Sequence, residues 1–343
     1  MKILVATSDV PFVEGGHRVI ARSLVQALQE AGHSAEIFTT PQNRFGRQFS
    51  AYLATWLTDV GVTGSGEPLD RIISIRFPSY ALRHPEHVCW LNHRMREYYD
   101  LWSQWTSTLS WKGKIKELVR RGLINKADTY FLKHNVKKVF AQSENIRRGL
   151  LRWGNIPSEV LYPPPPQREY HTEGYGDFVF SPSRLAPLKR VPLLIESLAK
   201  SKVGKAVIAG EGGDAAKIIS FIKQNSLENR IELLGHVGEQ QLLDLYARCR
   251  AVYYAPYNED FGLVTLEAFA SKKPVLTTSD SGGPTELVVH RKNGLIAEPN
   301  AESIANQINA LFETDTLAEK MGEAGFEKSR SINWPDTISR LLS

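Results

Sequence analysis

The sequence predicts an α/β protein built from two doubly wound parallel-sheet domains. Three observations predict it. Apolar, β-branched-rich runs alternate with longer segments of helical period along most of the chain, the pattern of strands joined by crossover helices. A proline run, Pro163–Pro166, interrupts the alternation, which then starts again. The 343 residues exceed what one ordinary core serves and suit two.

In chain order, KILVAT from Lys2 reads as a buried first strand. RVIARSLVQALQEAG repeats its apolar residues at helical spacing and stops at Gly32. SAEIFTT, RIISIRFP and HVCWLN read as further strands. The region after Glu97 is helical and aromatic, with Tyr98, Tyr99, Trp102, Trp105 and Trp111. KKVFAQS and VLYPPP close the first half as strands. Prolines can neither continue a helix nor donate ladder hydrogen bonds, so the domain boundary falls at the run, before the polar stretch QREYHTEGYGD. FVFSPSR, KAVIAGEGG, IELLGHV, AVYYAPY and KPVLTTSD are the strands of the second half, each followed by helical pattern, and NGLIAEP is a last short one. Helices follow over about Ala301–Leu311 and Asp315–Lys328, and NWPDTISRLLS starts another with Asn333 as its cap.

Composition is that of a soluble globular chain, 42% hydrophobic and 23% charged, with no apolar run long enough to span a membrane. The N-terminus lacks the small-residue cleavage site of a signal peptide and acidic Asp9 and Glu14 follow it. Cys89 and Cys249 stand in no metal spacing. A reduced, cytoplasmic compartment is the expectation. The net charge of +5 is unevenly spread: from Trp90 to Leu150, thirteen Lys and Arg face five Asp and Glu. That suits an acidic partner, whether anionic lipid, a phosphorylated acceptor or nucleic acid; a solvated charged helix face is the alternative.

Ligands of open parallel sheets sit beyond the carboxyl ends of the strands, and four such loops carry pointed chemistry. In PFVEGGH, Gly15 and Gly16 let helix-start amides approach a phosphate, or serve a tight turn. In SPSRLAPLKRV, Arg184 and Lys189 straddle Pro187, two cations able to neutralise a diphosphate or to be surface charge. In YNEDFGLVTLEAFASKKP, Glu259 lies in the loop and Glu267 eight residues on, inside the next helix. Phe261, Gly262 and Leu263 open that helix with free amides, and Glu267 is placed to accept hydrogen bonds from a vicinal diol such as a ribose. In SDSGGPTELV, Ser281, Gly282 and Gly283 form another amide-rich turn, with Pro284 at the first helical position.

Together these residues resemble the large family 4 of retaining glycosyltransferases, also called glycosyl transferases group 1, which have the GT-B fold. Glu259–Glu267 resembles its E-x7-E motif and RLAPLK its R-x4-K motif. GGHRVIARSLVQALQEAGHSAEIFTT resembles its opening strand–loop–helix–strand, and SGGPTELVVHRKNGLIAEP its segment after the acidic motif. The resemblance runs the length of the chain, strongest from Phe178 to Pro299 and weakest between Arg44 and His84.

The resemblance implies two Rossmann-like domains facing a central cleft. It implies an acceptor domain over 1–165, with a C-terminal helix at about 333–343 packing back on it, and a donor domain over 172–330. Arg184 and Lys189 would grip the donor diphosphate, Glu267 the ribose, and Glu259 the transferred sugar. The amides of Phe261, Gly262 and Leu263 would line the sugar and phosphates, Gly15 and Gly16 would approach the diphosphate, and Gly210, His236 and Val237 would border the nucleoside. A histidine at the end of the fourth strand would stand near the reacting sugar: His93 is the candidate, ahead of His87 at that strand's start, and His17 would face the acceptor.

The expected reaction is retaining transfer from a UDP- or GDP-type sugar to a hydroxyl acceptor, whether glycan, lipid-linked or small, in glycan, cell-envelope polysaccharide or glycolipid biosynthesis. No cofactor is expected, and no metal, because no D-x-D occurs in the sequence. An epimerase on the same fold or a non-catalytic nucleotide-sugar binder is the alternative. A nicotinamide dehydrogenase lacks its glycine fingerprint here, and nucleic-acid binding lacks a recognisable module. The expected location is cytoplasmic, peripheral to the inner face of the membrane.

Overall fold

The computed structural model describes residues 1–9, 15–41 and 46–343. The chain divides into two compact units, Met1–Pro166 with Trp334–Ser343, and Gln167–Asn333. The division falls within the proline run's end, and the chain's last ten residues belong to the first unit.

Unit 1 runs β1 (Lys2–Asp9), α1 (Gly16–Glu30), β2 (Ser34–Pro41), α2 (Gln48–Leu57), β3 (Arg71–Ser74), β4 (His87–Leu91), α3 (Trp102–Ser107), α4 (Trp111–His134), β5 (Lys138–Ala141), α5 (Glu144–Gly154) and β6 (Glu159–Val160). The strands form one parallel sheet in the order β2-β1-β3-β4-β5-β6. β3 and β4 are buried at every position, as strands covered by helices on both faces must be. α1 buries Ile20, Leu24, Ala27 and Leu28, one face at helical spacing, and the chain reverses at Gly32, φ +82°. Ser110 caps α4 by accepting from the Gly113 amide, and Ser143 caps α5 by accepting from the Ile146 amide. Two strands are shorter than their apolar runs suggest. RIISIRFP pairs only to Ser74, and VLYPPP only over Glu159–Val160, where the prolines from Pro163 on cannot extend the ladder.

Unit 2 runs β7 (Phe178–Pro182), α6 (Val191–Lys200), β8 (Lys205–Ala209), α7 (Ala215–Gln224), β9 (Ile231–Gly235), α8 (Glu239–Arg248), β10 (Ala251–Tyr253), α9 (Leu263–Ala270), β11 (Val275–Thr278), α10 (Pro284–Leu287), β12 (Gly294–Ala297), α11 (Ala301–Glu313) and α12 (Asp315–Arg330). Its parallel sheet has the order β9-β8-β7-β10-β11-β12. The order reverses between β7 and β10, so the loops leaving those two strands part and open a crevice at their carboxyl ends. Val179, Ile208, Tyr253 and Leu276 from the strands pack with Leu194, Ile195, Ile304 and Ile308 from the helices in one core.

The last helix, α13 (Trp334–Leu342), packs within unit 1. Trp334 meets Trp90 edge-on at 6.3 Å and donates from its indole to the Pro165 carbonyl at 3.2 Å. Arg71 donates to the Leu341 carbonyl at 2.8 Å.

Candidate functional site

In unit 2 the site residues gather where the strand order reverses. The loop after β7 makes one tight turn over Pro187–Lys189 and then passes through Arg190 in the left-handed region, φ +51°. That conformation is held from outside. The Arg190 guanidinium donates to the Ala255 and Pro256 carbonyls, to Thr278 and to both oxygens of Asp280, all within 2.9 Å. One fork thus ties the loops after β7, β10 and β11 together.

The turn presents Lys189, whose ammonium donates to Glu259 Oε2 at 2.7 Å and to the Tyr254 hydroxyl at 3.2 Å. Burial opposes the charge, but Tyr254 and Glu259 more than offset it, so the lysine pKa is raised and it stays cationic. Burial, with Glu259 beside it, pushes the Tyr254 phenol up to about 12, and Glu267 adds to the effect. Both carboxylates of the E-x7-E pair therefore act on one phenol. Arg184 is exposed and has no ion-pair partner among the described residues.

Glu259 is fixed through its backbone. Its amide donates to Ser281 and its carbonyl accepts from Gly283, each within 2.8 Å. The Ser281–Gly283 turn was expected to offer amides to an anion. The Gly283 amide is instead spent on Glu259, and a Cβ at Gly282 would stand 2.5 Å from the Glu259 carbonyl oxygen, so this turn braces the acidic loop. Pro284 does occupy the first turn of α10.

Gly262, φ +86°, caps α9, and the amides of Gly262 and Leu263 donate to no group among the described residues. Phe261 is buried. One turn on, Glu267 is 7% exposed. Its Oε1 accepts from Arg168 at 2.7 Å and its Oε2 from the Tyr246 hydroxyl at 2.8 Å. Burial raises the Glu267 pKa, and Arg168 and Tyr246 oppose the rise.

Gly210, φ +147°, is a close approach: a Cβ there would stand 2.1 Å from the Ser183 carbonyl oxygen, so the loop after β8 lies flush on the loop carrying Arg184. His236 is exposed and Val237 half-buried in the turn after β9.

Unit 1 holds a second group of candidates at its own reversal, between β1 and β3. Pro11–Glu14 lie outside the described residues. Gly15 caps α1, where a Cβ would meet the His17 ring at 2.8 Å, and Gly16 has open space around it. His17 is 6% exposed. Arg76, just after β3, donates to its Nδ1 at 2.9 Å, so its Nε2 carries the proton and donates to the Ser8 carbonyl at 3.2 Å. With both nitrogens engaged and the ring covered, His17 is a packing residue that orients Arg76, contrary to the expectation that it faces an acceptor.

His93 follows the end of β4. Its Nδ1 donates to the Arg94 carbonyl at 2.6 Å, which leaves Nε2 as an acceptor with no partner among the described residues. Burial first, then the Arg76 charge, hold its pKa well below the ordinary value, so the ring is neutral. His87 is fully buried between the Leu82 carbonyl and Ser74, and burial lowers it to about 4.

Sequence reasoning missed Arg190, Arg168, Tyr246, Tyr254 and Arg76. Tyr254 directly follows a strand, and Arg190 follows Lys189 in the cationic loop, signals that were there to be used. Arg168 lies in the linker and Tyr246 in α8, with nothing in the local sequence to mark them.

Residues 168–328, nearly all of unit 2, match the family of glycosyl transferases group 1. Through its second unit the chain is similar to that family. Among curated proteins it is 29% identical over 197 residues to an uncharacterized glycosyltransferase of Methanocaldococcus jannaschii, covering 57% of this chain and 53% of the relative. It is 33% identical over 151 residues to the poly(ribitol-phosphate) alpha-N-acetylglucosaminyltransferase of Staphylococcus aureus, covering 42% of this chain and 30% of that one. The chain therefore spans about half the length, or less, of these relatives. Among solved structures, Anabaena HepE in complex with UDP and glucose superposes with a TM-score of 0.73 over 100% of this chain and 98% of its own, at 18% identity. The two parallel-sheet units are those of the GT-B fold.

Proposed function

We propose that the protein is a retaining, metal-independent glycosyltransferase whose unit 2 binds a nucleoside diphosphate sugar and transfers the sugar to a hydroxyl acceptor in glycan or polysaccharide synthesis. The observation that carries this reading is the Lys189–Glu259 ion pair at the reversal of the unit 2 sheet, beside the unpaired amides that start α9. A diphosphate there meets a cation and helix-start N–H groups. Glu259 then accepts from sugar hydroxyls, and Glu267 from the ribose.

As the anomeric C–O bond breaks, its electron pair goes to the diphosphate oxygen. Lys189, Arg184 and the amides stabilise that growing charge. The acceptor oxygen bonds to the anomeric carbon from the same face and its proton passes to the departing phosphate oxygen. The side-chain cations take the part that a divalent ion plays elsewhere, which is the basis for proposing metal independence. The UDP complex of HepE and the family match support a nucleotide donor; a uridine or guanosine diphosphate is the class proposed.

The test is thermal-shift screening of the purified protein against UDP, GDP and their hexose conjugates, followed by nucleotide release with and without hydroxyl acceptors. Release that needs an acceptor separates transfer from epimerisation. Lys189→Ala is expected to cut the rate by about two orders of magnitude, from lost charge stabilisation, while EDTA leaves the native rate unchanged. A near-normal rate in the variant, or loss of activity on chelation, overturns the assignment.

A further inference from the structure

α4 carries an exposed apolar face that the fold does not use. Trp111, Ile115, Leu118, Val119, Leu123 and Tyr130 are each more than half exposed. At about 100° per residue the five from Trp111 to Leu123 fall within an arc of about 140°. The opposite face of the same helix does the packing, through Glu117, Ile124, Asp128 and Leu132. The exposed arc is bordered by Lys114 on one side and Lys116 on the other, with exposed Lys112 and Lys126 toward its two ends.

Both acidic residues of α4 face inward. Glu117 pairs with Arg120 and accepts from the Tyr98 hydroxyl at 3.1 Å. Asp128 is completely buried and accepts from the hydroxyls of Tyr52, Tyr80 and Tyr99. The outward side of the helix therefore offers apolar and cationic groups and no carboxylate. α2, which meets α4 through Tyr52 on Asp128 and on Phe131, carries a second exposed apolar row of Phe49, Leu53 and Leu57.

We propose that α4 is an interfacial helix that seats unit 1 on an anionic lipid bilayer. Its apolar arc enters the headgroup boundary, Trp111 and Tyr130 sit at that boundary, and the lysines pair with lipid phosphates while their stems lie along the apolar surface. The charge decides between occupants. A neutral apolar partner leaves the lysines unused, whereas an anionic bilayer supplies both an apolar interior and a negative surface. No helix among the described residues is long and apolar enough to cross a membrane, so the contact is with a surface. This binding is independent of the transfer reaction and is measured without it.

The experiment is co-sedimentation of the full chain with phosphatidylcholine vesicles, with and without phosphatidylglycerol, at low and high salt. Binding is expected to the anionic vesicles only, and to weaken with salt as exposed charges are screened. Leu118→Ser with Val119→Ser, and separately Lys112→Gln, Lys114→Gln and Lys116→Gln combined, are each expected to lower the bound fraction by about tenfold. Their circular dichroism and melting should stay native, because all these positions are exposed. Equal binding to neutral vesicles, absence of binding, or native binding by the variants overturns the proposal. So does an oligomer that the serine variant dissociates while vesicles go unbound, which would make the face a contact between copies.

Discussion

Glu267 sits where water cannot solvate its charge; burial raises its pKa, and the bonds from Arg168 and Tyr246 oppose that rise. Arg168 touches no part of the bound donor in the proposed reaction; it positions and charges the residue that does. Arg168→Ala strips the counter-charge from a buried acid, so the Glu267 pKa rises further. Above its pKa the carboxylate accepts charge-assisted hydrogen bonds from a ribose; below it, the neutral acid accepts more weakly. UDP or GDP affinity in the variant is therefore expected to fall about tenfold near neutral pH, the worth of a hydrogen bond to a charged group, and to recover as pH rises. Arg168→Lys should restore part of it. Calorimetric titration at several pH values checks this, and an affinity equal to the native one throughout would count against the role. The contrast with Lys189, Glu259 and Glu267 shows what residue spacing can reveal. Those three lie in strand-end loops and a helix start whose order the chain itself records. Arg168 is 99 positions from its partner, and only the folded sheet brings them together. His17 illustrates the converse: a histidine beside a glycine pair reads as exposed, yet β3 delivers Arg76 onto one ring nitrogen and β1 the Ser8 carbonyl onto the other.

The strand–loop–helix element from β10 into α9 shows how much a single backbone conformation carries. Gly262 turns the chain at φ +86°, and a Cβ there would lie 2.8 Å from the Tyr254 ring and 3.0 Å from Pro284. Gly262→Ala adds an unfavourable dihedral to a clash with the phenol that Lys189 uses. The expected cost is about 1–3 kcal/mol of stability. The amides of Gly262 and Leu263 would also shift, so nucleotide affinity should fall by more than the loss of folded protein explains. Urea unfolding gives the first quantity and titration on the folded fraction the second; native affinity in a destabilised variant would separate the turn from the binding site. Elements of this kind were readable in advance because β7, β8, β10 and β11 are short, apolar and bounded by turn residues. Their order in the sheet was not. Alternation demands parallel strands and right-handed crossovers, but it does not state that β9 lies at an edge or that β7 adjoins β10. That adjacency comes from pairing Ala251 with Val179 and Val252 with Phe180, and it is what sets Lys189 against Glu259. The shortness of β6 was hidden for a simpler reason: the chain stays apolar into Leu161, whose amide still donates to Ala141, but the prolines from Pro163 on cannot donate ladder hydrogen bonds.

At the scale of the whole molecule, the two units can be observed separately. All seven tryptophans, Trp56, Trp90, Trp102, Trp105, Trp111, Trp153 and Trp334, lie in unit 1. Tryptophan emission therefore follows the unfolding of unit 1 alone, while circular dichroism follows both. Unit 1 also holds His87, fully buried, and His93, half-buried. His87 has its pKa lowered from 6.5 to about 4 by burial, and His93 is lowered by burial and by Arg76. In each case the unfolded chain takes up a proton at a pH where the folded one does not. The neutral rings thus contribute stability that is fully present above pH 6.5 and is lost as pH falls toward about 4. For His87 the complete loss corresponds to about 3 kcal/mol. The window opens well above 4.5, the ordinary value of the surface glutamates such as Glu86, whose own contribution is lost only at lower pH. Urea midpoints read by tryptophan emission should therefore fall between about pH 7 and about pH 5. His87→Gln lowers the midpoint at every pH, through its bonds to Ser74 and Leu82, but should flatten the slope across that window. The difference in slope isolates the histidine from Asp128, whose pKa burial raises and which therefore acts in the opposite direction. Equal slopes in the native protein and the variant would mean that His87 binds its proton equally well folded and unfolded, and would remove the ring from the acid sensitivity of unit 1.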